Sequence, residues 1–134
     1  MRDIWFRGKS IDADCDEFYY GDLMHDGGES YCMYLPDDGS DTAIDIDTVG
    51  QFTGMYDFNG KEIYEGDIIK VKDSCAIAEV VFKQGCWCVD NHNLDLADER
   101  FCLYDELKEC DWEVVGNIHD NPELRKKVRK NETN

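Results

Sequence analysis

The chain has 134 residues, of which 42% are apolar, and 31 acids against 14 bases give it a net charge of −17. That length holds one compact unit or two very small ones, and the apolar content is well above that of a disordered chain. No apolar run approaches the roughly 18 residues that cross a bilayer as a helix, so a soluble, unexported protein without a membrane partner is expected.

Charge is unevenly spread. Residues 122–134 carry five bases against two acids, and residues 1–121 carry 29 acids against nine bases, so a −20 body precedes a +3 C-terminal stretch in which 125–134 is the basic tail. Such a body repels a phosphate backbone within a Debye length of about 8 Å, which argues against duplex DNA binding through the main body. A basic protein surface, or the tail of another copy of the chain, remains a suitable partner.

In chain order the pattern is mostly strand. Ile4, Trp5 and Phe6 begin a first strand, and Glu17–Leu23 and Ser30–Leu35 read as aromatic-rich strands around an Asp26-Gly27-Gly28 turn. Pro36–Asp41 is an acidic loop by composition and the segment expected to be mobile. Asn59-Gly60 predicts a type I′ hairpin turn that lays Phe52–Asp57 against Lys61–Tyr64. Glu65-Gly66-Asp67 predicts a second tight turn that launches a strand at Ile68–Lys72.

Ala76–Lys83, Gly85–Val89 and Trp112–Ile118 follow as further strands, with a short helical turn at Asp105-Glu106-Leu107. A C-terminal helix is expected from Asn121 as cap and Pro122 as first helical residue, with Leu124 and Val128 on one face. The fold class is therefore mainly β: a small curled antiparallel sheet or SH3-like barrel plus a short C-terminal helix.

Three stretches carry a resemblance. The run Thr48–Lys72, TVGQFTGMYDFNGKEIYEGDIIKVK, resembles the signature of the YopX-like proteins of bacteriophages and prophages. The opening MRDIWFRGK, the element Phe18-Tyr19-Tyr20-Gly21-Asp22-Leu23 and the closing run from Val114 to Leu124, VVGNIHDNPEL, are similar to that family's elements too. The resemblance implies a phage-encoded accessory protein of unassigned biochemistry. It covers residues 1–124 as one unit, with a division into 1–47 and a barrel-like 48–120 as the alternative. The polar positions of the motifs, Gln51, Thr53, Asp57, Glu65, Asp67, Asn117 and His119, are the candidate binding residues.

Each chemical reading has a structural competitor. Asp45, Asp47, Asp57, Glu65 and Asp67 could collect oxygen ligands around the hairpin, and Asp57, Glu65 and Asp67 form the candidate metal set. They lack the dense spacing of a calcium loop, and turns use carboxylates for local hydrogen bonds. Cys86 and Cys88 share a strand face and could form a zinc site with Cys102, Cys110 or His92, but no second paired knuckle exists. Seven cysteines, an odd number without a C-x-x-C, read as reduced thiols of a bacterial cytoplasm rather than a disulfide framework.

His25, His92 and His119 show no nucleophile-and-base motif, so no catalytic residue and no cofactor are assigned. The many aromatic residues lack the basic groove of single-strand nucleic-acid binders. The leading reading is a non-enzymatic acidic module that binds another protein. The alternative is a divalent-metal enzyme acting on phosphate esters.

Overall fold

The computed structural model describes residues 2–12, 16–25, 27–28, 30–90 and 101–130, and within them two compact units, Met1–Gly54 and Met55–Asn134. Among the described residues the strands paired within each unit are antiparallel, and the architecture is mainly β with two short helices.

Unit 1 contains β1 (Phe6–Ser10), β2 (Phe18–His25), β3 (Tyr31–Leu35) and most of β4 (Ser40–Tyr56). Strand β1 pairs with β2 on one side and β4 on the other, while β3 pairs with both β2 and β4, so the sheet curls into a closed ring. The length of β4 permits the closure: its first residues pair with β3, and residues 44–51 pair with β1. Between Arg7 and Lys9 the partner on β4 jumps from Gly50 to Asp45. Thr48 clasps this bulge, its Oγ1 accepting from the Lys9 amide at 2.8 Å and donating to the Asp45 carbonyl at 2.6 Å.

The ring holds a thin core of Met33, Ile44 and Phe52, with Trp5 stacked on Phe52 at 4.8 Å. Two bases on the other face of β1 are buried as well: Arg7 and Lys9 are only 6% and 8% exposed, while Gly8 between them faces Ile44 and Met33 of the core. The Arg7 guanidinium lies 4.4 Å from the centroid of Phe18, and Lys9 Nζ lies 5.1 Å from the same ring and 2.9 Å from Asp16 Oδ1. The ring quadrupole and the carboxylate offset part of the desolvation cost of these cations. The acidic stretch expected to be mobile is a closed β3–β4 turn: the Gly39 amide reaches the Leu35 carbonyl at 2.8 Å, and Asp38 accepts from both the amide and the hydroxyl of Ser40.

Unit 2 contains β5 (Glu62–Tyr64), β6 (Asp67–Val71), β7 (Ile77–Lys83), β8 (Cys86–Asp90), β9 (Phe101–Cys102), α1 (Leu103–Glu109), β10 (Trp112–Asn117) and α2 (Pro122–Lys130). Its main sheet has the order β10-β6-β7-β8-β9. Strand alternation divides the apolar residues between two faces. Ile69, Ala78, Val80, Val89 and Trp112 pack with Ile63 and with Leu103 and Leu107 of α1, while Ile68 and Ile77 pack with Leu124 and Val128 of α2. Glu79 follows the Ile77 face and meets Arg125 of α2, whose Nε donates to Glu79 Oε1 at 3.0 Å. The C-terminal helix thus docks through Leu124 and Val128 as the four-residue spacing predicts, and the helical turn predicted around Leu107 extends to seven residues.

Turn chemistry differs from the prediction at one point. Gly60 has φ +81°, but Asn59 is not among the residues with positive φ, so Asn59-Gly60 is not the central pair of a type I′ turn. The Gly60 amide donates to the Asp57 carbonyl at 3.0 Å and the Asp57 amide to the Lys61 carbonyl at 2.8 Å, the pattern of a type I turn closed by a glycine bulge. The two-residue turn with both φ values positive lies instead between β7 and β8, at Gln84 (+51°) and Gly85 (+78°), where Lys83 pairs with Cys86.

Candidate functional site

The carboxylate of Asp57 explains the shape of its turn. Oδ1 accepts from the amides of Asn59 and Lys61, each at 2.8 Å, and Oδ2 accepts from the amide of Val114 at 2.9 Å. The Phe58 amide adds a bond to the Trp112 carbonyl at 2.8 Å. One buried carboxylate therefore closes the hairpin and fastens it to the edge of β10, using charged acceptors that are stronger than neutral ones.

A second knot lies further along β10. Asp67 stands opposite Asn117, and its Oδ2 accepts from the Tyr64 amide at 2.7 Å, which fixes the turn through Glu65 and Gly66. The Gly66 carbonyl accepts from the Ile118 amide and its own amide reaches the Val80 carbonyl, both at 2.9 Å. Asn117 Oδ1 accepts from the amides of His119 and Asp120, and its Nδ2 donates to Asp120 Oδ2 at 3.1 Å. The side-chain oxygen of Asn121 turns back to the Asn117 amide at 3.2 Å. A Cβ at Gly116 would fall 2.5 Å from that Asn121 oxygen and 2.9 Å from Leu124, so a side chain here would displace both.

The structure therefore brings Glu65, Asp67, Asn117 and His119 together where β6 begins and β10 ends. Asp57 is bound at Val114, three residues away on β10, about 10 Å at some 3.3 Å per residue. Gln51 and Thr53 belong to β4 in unit 1, Gln51 opposite Phe6 and Thr53 buried. Asp45 and Asp47 lie at the β4 bulge in unit 1, where Asp45 Oδ1 accepts from the Asp47 amide at 3.0 Å. Among the described residues no group of three His, Cys, Asp or Glu side chains is placed to hold a metal ion.

The cysteines of the zinc alternative divide. Cys88 stands directly across from Cys102, and Cys86 lies two residues away on the same strand face. Burial, then the neighbouring thiols of Cys88 and Cys102, push the Cys86 pKa up to about 11. Cys110 is exposed beyond the end of α1, and Cys15 and His92 lie outside the described residues. His25 ends β2, with its ring 4.8 Å from that of Tyr31 and a ring nitrogen bonded to the Gly28 carbonyl.

Burial of Arg7 and Lys9 is the feature that composition does not reveal. Unit 1 has 13 acids and three bases, and none of the ten acids among its described residues is buried. Of its three bases, Arg2 is the one left exposed. Across β2, β3 and β4 the exposed residues Asp22, Tyr34 and Asp41 form one cross-strand row, flanked on β2 by exposed Tyr20 and Met24. The outer face of this sheet combines carboxylates with large apolar side chains.

Comparison with known proteins agrees with this architecture. The crystal structure of protein EF1440 from Enterococcus faecalis shares the fold at a TM-score of 0.59 and 23% sequence identity, over 92% of this chain and 99% of that one. No curated protein matches the chain. Among the described residues no helix is long and apolar enough to cross a membrane. The family model described as YopX protein matches residues 6–126, the span that contains the Asp57 hairpin, the Asp67 turn and the Asn117 knot. The chain belongs to the YopX family.

Proposed function

We propose that this chain is a phage- or prophage-encoded accessory protein of the host cytoplasm that acts by binding another protein through the acidic outer surface of unit 1. The partner presents a basic surface. The observation that carries this reading is the burial of Arg7 and Lys9, which leaves Arg2 as the exposed base of a unit with 13 acids. Tyr20, Met24 and Tyr34 beside Asp22 and Asp41 supply apolar contact area within the charged field, as protein interfaces require. The same field disfavours duplex DNA.

The metal-enzyme alternative draws less support, because Asp57, one of its three ligands, has both carboxylate oxygens committed to backbone amides. Affinity capture from infected or lysogenic cells, followed by quantitative binding to the captured protein, tests the proposal. The double variant Asp22→Lys/Asp41→Lys is expected to weaken binding by tenfold or more, and wild-type binding to fall as salt rises. An acidic partner, or binding indifferent to both charge reversal and salt, would overturn it.

A further inference from the structure

We propose that Cys88 and Cys102 are a reversible oxidation site that closes as a disulfide between β8 and β9. The two residues are direct partners in an antiparallel ladder, a pairing that places Cα atoms about 4.5–5.5 Å apart. That separation lies within the range a disulfide spans without backbone movement. Cys86 shares their face but is diagonal to Cys102, a position typically about 7–8 Å away and beyond that range. The register therefore selects one pair from three neighbouring thiols.

The site has an attacking and a resolving thiol. Cys102 is half-buried, whereas Cys88 is 1% exposed. The thiolate of Cys102 attacks a small oxidised disulfide, forming a mixed disulfide and releasing one thiol. The thiolate of Cys88 then attacks Cys102 Sγ and expels the second. Two electrons and two protons pass from the cysteine pair to the oxidant, which leaves as two thiols, and excess thiol reverses the sequence. The bond would staple a strand of only two residues, Phe101–Cys102, to the sheet directly before α1.

Closure has a second signature at a residue outside the bond. Part of what raises Cys86 toward 11 is the presence of the Cys88 and Cys102 thiols, and oxidation removes both as titrating groups. The Cys86 pKa then falls, although burial, its largest cause, still holds it above 9.0, so at pH 9 its thiolate fraction and its rate of alkylation rise.

The experiment equilibrates the native full-length protein with oxidised glutathione, quenches with acid, alkylates and maps the peptides by mass spectrometry. A Cys88–Cys102 link that forms in the native protein, survives in Cys86→Ser, is absent in Cys102→Ser and reverts in reduced glutathione is the expected result, together with faster Cys86 alkylation. Mapping of the unsubstituted protein decides the matter even if a serine variant folds poorly. Glutathione mixed disulfides without the internal link, a link that uses Cys86, or a link that appears only after denaturation would overturn the proposal.

Discussion

In unit 1 the charged side chains taken out of water are cations, Arg7 and Lys9, whereas unit 2 takes in carboxylates, Asp57, Asp67 and Glu79. The compensation differs as well. Unit 2 gives Asp57 three backbone amides, ties Asp67 to the Tyr64 amide and sets the Arg125 guanidinium against Glu79. Unit 1 offers its cations the Phe18 ring and, for Lys9, a carboxylate that is itself 94% exposed. Burial thus removes bases from the accessible surface of the unit that has few and acids from the unit whose balance is already closer, 18 acids against 11 bases. Folding sharpens the charge contrast that composition only outlines.

The buried carboxylates of unit 2 are structural fasteners, and their removal is expected to cost most. Asp57→Ala leaves three amides to find other partners, two in the hairpin and one on β10, and should destabilise the protein by about 3 kcal/mol or more in denaturant unfolding. An unfolding midpoint close to wild type would show that this carboxylate is not structural and reopen the metal reading. Arg125→Ala is the next largest change, because Glu79 would stay buried without its cation. The Arg125 side chain is 39% exposed, so water can replace part of the interaction, and about 1–2 kcal/mol is expected. The double variant with Glu79→Gln should recover most of that loss. Failure to recover would place the cost in helix packing rather than in charge.

Unit 1 should respond differently. Lys9→Met keeps the buried stem and removes an ammonium whose ion pair with Asp16 is formed to a carboxylate almost wholly in water, so the loss of that pair should cost no more than about 1 kcal/mol. A loss as large as that of Asp57→Ala would erase the distinction between the two units. The same substitution makes the unit more acidic, so binding to a basic partner should be retained or strengthened.

Much of this organisation is legible in the sequence because it is local. The Leu124–Val128 spacing, the strand at Ile68 and the turn at Glu65-Gly66-Asp67 depend on neighbours within a few residues. Gly60 is readable as a positive-φ position, but not the turn type, because the Asp57 carboxylate stabilises a different geometry through a bond to Val114 that is 57 residues distant. Gln84-Gly85 carries no Asn-Gly signal, yet the direct Lys83–Cys86 pairing leaves a two-residue loop, and both of its residues take positive φ. Burial of Arg7 and Lys9 was hidden for a related reason: they stand on the face of β1 away from Gly8 and the core, and the Phe18 ring that lies against them comes from β2, which alternation along β1 cannot show. Of the candidate residues, Asp57, Asp67 and Asn117 accept from backbone amides, and for Asp57 the partner on β10 is visible only once that strand lies beside the hairpin.

The smallest expected effect concerns a carboxylate that unit 2 has only partly enclosed. Glu106 of α1 has its pKa raised first by burial and then by Glu109, and Trp112 opposes part of that rise. The buried indole Nε1 makes no full hydrogen bond within normal geometry, so the opposition is the pull of a nearby N–H dipole rather than a closed bond. A folded-state pKa above that of the unfolded chain means that ionised Glu106 destabilises the native state at neutral pH. The penalty disappears as pH falls through the folded-state value and is gone below the ordinary value of 4.5. Glu106→Gln should therefore raise the Tm slightly at pH 7, by less than any change above shifts it, and the advantage over wild type should vanish below about pH 4.5. The difference between the two proteins across pH isolates this group from the other carboxylates that titrate in both. A variant less stable than wild type at pH 7, with the deficit vanishing toward acid, would mean that Glu106 is stabilised as a carboxylate, and that partial burial in unit 2 follows the same rule as the fully fastened Asp57.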